Sequence, residues 1–223
     1  MEFIEYPDRE MLMINLAQQI AGELNTCLMQ HEHASLAVPG GTTPGPMFDD
    51  LSAATLDWSR VHVLLTDERW VPEDHERSNT RLLRQRLLTN EAEAAQLVPL
   101  YKPGLSPDDA LADLSEGISP ELPISVLLLG MGADMHTASL FPDAPDLAEA
   151  IEGRGGPLAI VRPEGQPEAR ITLTGPVLRS AMSTHVLITG PEKKEALERA
   201  QKLPATEAPI SLVLRNAVVH WAE

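Results

Sequence analysis

One cysteine, Cys27, stands among 223 residues. A single thiol excludes an intramolecular disulfide and any zinc cage built from cysteines. It falls on the apolar stripe of the first expected helix, where a free cysteine is expected to be buried and inert. Positive charge is also scarce: 17 Lys and Arg face 33 Asp and Glu, for a net charge of −16. A field of that sign repels phosphate backbones, so nucleic acid is not an expected partner. It repels a small anion equally, so any phosphate site has to be built locally from particular Lys, Arg and backbone N–H groups. No apolar run approaches the ~18 residues of a membrane span, and no membrane partner is expected. The opening MEFIEYPDRE has neither the basic nor the apolar region of a signal peptide, so the cytoplasm is the expected compartment.

What is present is a core-forming chain. Apolar residues make up 43% of it, and residues 1–223 read as a single domain without internal repeats. After Asp8, a helix N-cap candidate, Leu12, Leu16, Ile20, Leu24 and Leu28 recur every four residues and predict one long amphipathic helix. Short apolar runs at Ser35–Val38, Val61–Leu65 and Ser125–Leu129 read as buried strands. Leu158–Val161, Ile171–Leu173, Val186–Ile188 and Val218–Trp221 are further candidates. Helical stretches separate most of them, among them one through Leu82, Leu83, Arg86 and Leu87 and another over Pro191–Lys202. That alternation predicts an α/β fold with a largely parallel sheet covered on both faces. Val98–Pro107 and Pro157–Pro167, rich in Pro, read as loops within the same domain.

Ligands in open α/β sheets bind beyond the carboxyl ends of the strands, and four unusual loops sit at such ends. Pro39-Gly40-Gly41-Thr42-Thr43-Pro44 is either an anion cradle or a tight strand–helix turn capped by threonine; it lacks the Gly-Lys-Ser/Thr ending of a P-loop. Thr66-Asp67-Glu68-Arg69-Trp70-Val71-Pro72, continuing to His75, Ser78 and Asn79, places three charges directly after a buried strand. Gly130-Met131-Gly132-Ala133-Asp134-Met135-His136-Thr137-Ala138-Ser139 is the most telling. Its third dinucleotide glycine would fall on Met135, which argues against NAD. Asp134 is either a helix N-cap beside a satisfied polar His136, or the carboxylate that orients that imidazole and leaves one nitrogen free for a proton. In Gly190-Pro191-Glu192-Lys193, a lysine in the first turn opposes the helix dipole; it either serves an anion or is merely solvated. His31 and His33, in a helix-to-strand loop with no third ligand near in sequence, read as solvated. His62, His185 and His220 read as packed within strands, and no metal ligand set emerges.

Taken together and in order, the first three loops, Arg170-Ile171-Thr172-Leu173-Thr174 and Gly190–Lys193 resemble the non-propeller 6-phosphogluconolactonases. The resemblance spans Gly40–Lys193. It implies a single-domain, Rossmann-like three-layer α/β/α sandwich shared with glucosamine-6-phosphate isomerases/deaminases. It implies hydrolysis of a phosphorylated sugar lactone in the oxidative pentose phosphate pathway, following glucose-6-phosphate dehydrogenase, without metal or other cofactor. Under it, His136 is the general base, Asp134 orients it, Arg69 is a substrate-site cation and Asp67 its polar companion. Gly41, Thr42, Thr43, Arg170 and Lys193 then form the phosphate pocket. The expected partner is the small-molecule lactone, and the expected assembly a monomer or homodimer. One departure stands out: the family pattern reads Asp-Gly-His where this chain has Asp134-Met135-His136. Either the loop runs at negative φ, or its backbone is reshaped.

Two other functions compete. Deaminases of this fold carry a glutamate five residues after the histidine, where this chain has Phe141. A sugar-phosphate-sensing regulator needs a helix-turn-helix and a basic face, against which the charge of −16 counts.

Overall fold

The computed structural model describes residues 1–223. In chain order the elements are β1 (Glu2–Glu5), α1 (Arg9–Leu28), β2 (Ala34–Val38), α2 (Gly45–Ser52), β3 (Val61–Leu65), β4 (Asp67–Arg69) and α3 (Asn79–Arg86). There follow β5 (Gln96–Val98), α4 (Pro107–Ile118), β6 (Val126–Gly130), α5 (Leu147–Glu152), β7 (Leu158–Val161), β8 (Arg170–Leu173) and α6 (Gly175–Ser180). The chain ends with β9 (Ser183–Thr189), α7 (Pro191–Ala200), α8 (Ser211–Leu214) and β10 (Val218–Ala222).

Helix α1 begins where the Asp8 carboxylate accepts the Met11 N–H at 2.8 Å, and Glu10 in its first turn suits the dipole. Its leucine and isoleucine stripe is wholly buried and packs on β2, β6 and β10. Seven strands form one sheet in the order β1-β10-β9-β6-β2-β3-β5, and every pairing in it is parallel. All five residues of β2 and the first four of β6 are buried, as strands covered on both faces must be. The order reverses between β2 and β6, from which the chain winds outward in opposite directions. The loops after these two strands therefore part and leave a crevice at the switch point. No helix is long and apolar enough to cross a membrane.

Three features depart from the expectations. The segment after β3 is a strand: β4 pairs antiparallel with β8, and β8 with β7, in a second sheet of three strands. The runs at Leu158 and Ile171 therefore leave the parallel sheet. Thr66 joins the two sheets, its N–H donating to Val38 O and its carbonyl accepting from Leu173 N, both at 2.9 Å. Cys27 is half-buried, with its thiol 3.4 Å from Ser125 Oγ. Finally, β1 and β5, too short to show a period in the sequence, close the two edges of the large sheet.

His185 and His220 are fully buried, as their place in strands suggests, but they form a polar chain. His185 reaches Glu23 at 2.9 Å and His220 at 3.0 Å, and His220 reaches the Tyr6 hydroxyl at 2.9 Å. Burial first, then neighbouring His185, pushes the His220 imidazole down to about 4.

Candidate active site

A pocket of about 370 Å³ opens at the crevice, lined by all four loops. Its lining includes Gly41, Thr42, Thr43, Asp67, Arg69, His136, Arg170 and Lys193, so residues scattered over 150 positions of sequence converge. Asp134 stands just outside this lining, against His136.

In the first loop Gly41 has φ +87°, a conformation that glycine adopts without strain. Thr42 and Thr43 are exposed to the pocket. The threonine-cap alternative fails: the N-cap of α2 is Pro44, with no side-chain cap. Gly40 is required for a different reason, because a Cβ there would lie 2.0 Å from Asn79 Oδ1.

In the second loop Glu68 is the organising residue. Its buried carboxylate accepts the N–H groups of Arg69, Asn79 and Thr80 and the hydroxyls of Ser78 and Thr80, at 2.7–3.1 Å. Five donors on one carboxylate fold residues 68–80 into a rigid turn that starts α3. Arg69 is thereby held, donating to Arg77 O at 2.8 Å and Asn79 Oδ1 at 3.2 Å. The cross-strand register sets Arg69 opposite Arg170. Like charges so placed repel, and burial pulls the Arg170 guanidinium below its usual range, while Asp67 works the other way. Asp67 lies 3.7 Å from Arg170 and accepts from the Ser139 hydroxyl at 2.5 Å. The Nε atoms of both arginines are buried without a partner. Three cations and one carboxylate thus line the pocket, so the local field is positive although the whole chain is acidic.

In the third loop no helix follows Asp134, which removes the N-cap alternative. The chain turns tightly instead, with Met135 N donating to Gly132 O and Gly132 N to His136 O, both at 2.9 Å. The expectation of negative φ at Met135 does not hold. The methionine takes φ +68° itself, at a cost of about 1–2 kcal/mol for a residue with a Cβ. Its side chain packs on the core, and its carbonyl accepts from Ile210 N at 3.2 Å. Gly132 admits no side chain, since its Cβ would meet His136 Nδ1 at 2.1 Å.

His136 Nδ1 is 2.5 Å from Asp134 Oδ1. That hydrogen bond is the main reason the Asp134 carboxyl lies below its ordinary range, so it is the ionised acceptor. The proton of the contact is therefore on Nδ1, and Nε2 is the basic nitrogen. Phe141 packs on the imidazole at 4.6 Å between centroids and carries the Arg170 guanidinium 5.1 Å from its ring centre. In the fourth loop Lys193 Nζ donates to Met131 O at 2.7 Å, tying α7 to the third loop while lining the pocket.

Sequence reasoning named the loops but missed the supporting residues. Glu68, Asn79, Ser139 and Phe141 lay inside motifs already singled out, and only contacts distant in sequence reveal what they hold. One reading needs correction: His33 is not merely solvated but stacks on His62 beside Glu121.

Fold and pocket together define an α/β protein whose positively charged site opens on an oriented imidazole. Residues 7–221 match the family described as glucosamine-6-phosphate isomerases/6-phosphogluconolactonase, and the chain belongs to that family. A 6-phosphogluconolactonase of Mesorhizobium japonicum is 40% identical over 97% of this chain and 93% of its own length. One of Pseudomonas aeruginosa is also 40% identical, over 92% and 88%. The crystal structure of a 6-phosphogluconolactonase from Shewanella baltica superimposes with a TM-score of 0.95 at 32% identity, covering 100% of this chain and 97% of that one. A monomeric glucosamine-6-phosphate deaminase, at 16% identity and a TM-score of 0.78, shares the fold.

Proposed function

We propose that this protein hydrolyses 6-phospho-D-glucono-1,5-lactone to 6-phosphogluconate in the oxidative pentose phosphate pathway, acting in the cytoplasm as a monomer or homodimer. The observation that carries this reading is an imidazole with Nδ1 committed to Asp134, beside a pocket whose cations suit a phosphorylated, carbonyl-bearing substrate.

Water attacks the lactone carbonyl carbon while His136 Nε2 takes one of its protons. The carbonyl π pair moves to oxygen, giving a tetrahedral oxyanion. Collapse of that oxyanion breaks the ring C–O bond, and the departing ring oxygen takes the proton back from His136. A six-membered lactone is already an activated ester, so no step requires a covalent nucleophile or a metal. Gly41, Thr42, Thr43, Arg170 and Lys193 hold the phosphate, converting remote binding energy into alignment of the carbonyl. Arg69 supplies charge near the developing oxyanion, while the Asp67 carboxylate faces Arg170 and Ser139 rather than Arg69.

Phe141 counts against the deaminase reading. It occupies the place of the ring-opening glutamate, and its ring contacts the catalytic imidazole. The test is a coupled assay in which the lactone is generated in situ and its loss followed above the spontaneous rate. Saturable acceleration is expected. A rate no greater than the background, together with ammonia release from glucosamine 6-phosphate, would overturn the reading in favour of a deaminase.

A further inference from the structure

At the opposite end of the sheet three side chains meet that the pocket does not use. His33 precedes β2, His62 is the second residue of β3, and Glu121 ends the turn after α4. They lie at the amino ends of the strands, about 15 Å of strand away from the pocket at roughly 3.3 Å per residue.

The two imidazoles stack face to face, 4.4 Å between centroids and 14° apart, and each turns a ring nitrogen toward the same carboxylate. His62 Nδ1 is 2.9 Å from Glu121 Oε1, and His33 Nε2 is 3.4 Å from Oε2. The Glu121 side chain is only 6% exposed, and its Oε2 is buried without a hydrogen bond. Arg60, the cation on the adjoining turn, is committed to the carbonyls of Leu28, His31 and Glu32 and faces Asp57.

Protein groups alone leave this cluster poorly satisfied. His62 Nδ1 serves Oε1, but His33 Nε2 stops 3.4 Å from Oε2 and leaves that buried oxygen without a hydrogen bond, and two protonated rings would stack like charges. One divalent ion between them resolves both. The three ligand atoms all lie within 4.8 Å of one another, and a tetrahedral zinc at about 2.0–2.2 Å from each ligand needs them roughly 3.3 Å apart. Two imidazoles and a carboxylate suit zinc and its borderline neighbours cobalt and nickel rather than calcium or magnesium. We propose that His33, His62 and Glu121 form a structural site for a zinc-class divalent cation. The fourth position falls to water, and the ion would tie together the starts of β2 and β3 and the α4–β6 connection.

The experiment uses untagged protein stripped with chelator, titrated with zinc by calorimetry and thermal unfolding, with cobalt as a spectroscopic probe. One ion per chain is expected, with tetrahedral cobalt absorption and a Tm rise of about 5–10 °C at a hundredfold excess over Kd. His33→Gln, at a partly exposed position, should keep the fold and the lactone turnover but lose the cobalt bands and the Tm rise. Glu121→Gln should lose them as well. Absence of saturable binding by the wild type would overturn the proposal, as would binding that persists unchanged in His33→Gln, since the ion would then sit elsewhere.

Discussion

Replacing His136 by Gln removes the basic nitrogen while keeping a polar side chain of similar reach. A positioned general base is worth about 10²–10⁴ in rate, or roughly 3–5 kcal/mol of barrier at 1.36 kcal/mol per decade. The residues proposed to hold the phosphate lie on other loops or strands of the pocket, so kcat should carry the loss while KM stays within about threefold. Asp134→Asn is the calibrating partner. Its hydrogen bond to the imidazole is short, at 2.5 Å, but the carboxylate is 53% exposed. A contact to a charged group, worth about 1.5–3 kcal/mol, therefore belongs at or below the bottom of that range, and about a tenfold loss of kcat is expected. Both variants are to be assayed with the spontaneous lactone rate subtracted. A folded His136→Gln enzyme with near wild-type kcat, or an Asp134→Asn loss larger than that of His136→Gln, would refute the assignment of base and orienting group.

Under the proposed function, Lys193→Ala removes a charge-assisted phosphate contact worth about 1.5–3 kcal/mol. It should raise KM for the phosphorylated lactone roughly ten- to a hundredfold and shrink its advantage over unphosphorylated gluconolactone. Glu68→Gln turns an amide NH₂ toward donors that now face a carboxylate oxygen; urea unfolding should show a loss of about 3–5 kcal/mol, with kcat/KM falling because Arg69 loses its support. The pH dependence of stability has a stated window. The unfolded chain protonates His220 near its ordinary 6.5, whereas the folded chain holds it neutral down to about 4. The unfolded state therefore binds more protons between these values, and stability should fall by up to about 3 kcal/mol as pH drops from 6.5 to 4. A flat denaturation midpoint across that window would contradict the buried neutral imidazole.

The sequence by itself determined the α/β alternation, helix α1 with its Asp8 cap, the buried strands β2, β3 and β6, and the loops that carry the chemistry. These are readable because period, capping and Gly/Pro punctuation are local: Leu12 through Leu28 declare their helix without reference to anything far away. The alternatives at Thr42–Thr43 and Asp134 turned on what lies opposite: the tertiary structure removes the threonine cap and the helix N-cap, and it sets Lys193 against Met131 O in the pocket lining. It decided too that residues 67–69 form a strand, because β4 exists through its pairing with β8 about a hundred residues later. Glu68 reads as one more loop charge until its five donors are assembled around it. Met135 at φ +68° runs against its own backbone preference, so only packing and long-range hydrogen bonds account for it. His33, His62 and Glu121 show no ligand spacing along the chain. Parallel pairing puts His33 and His62 on neighbouring strand starts, and the α4–β6 connection brings in Glu121, since a sheet makes neighbours of positions that chain distance keeps apart.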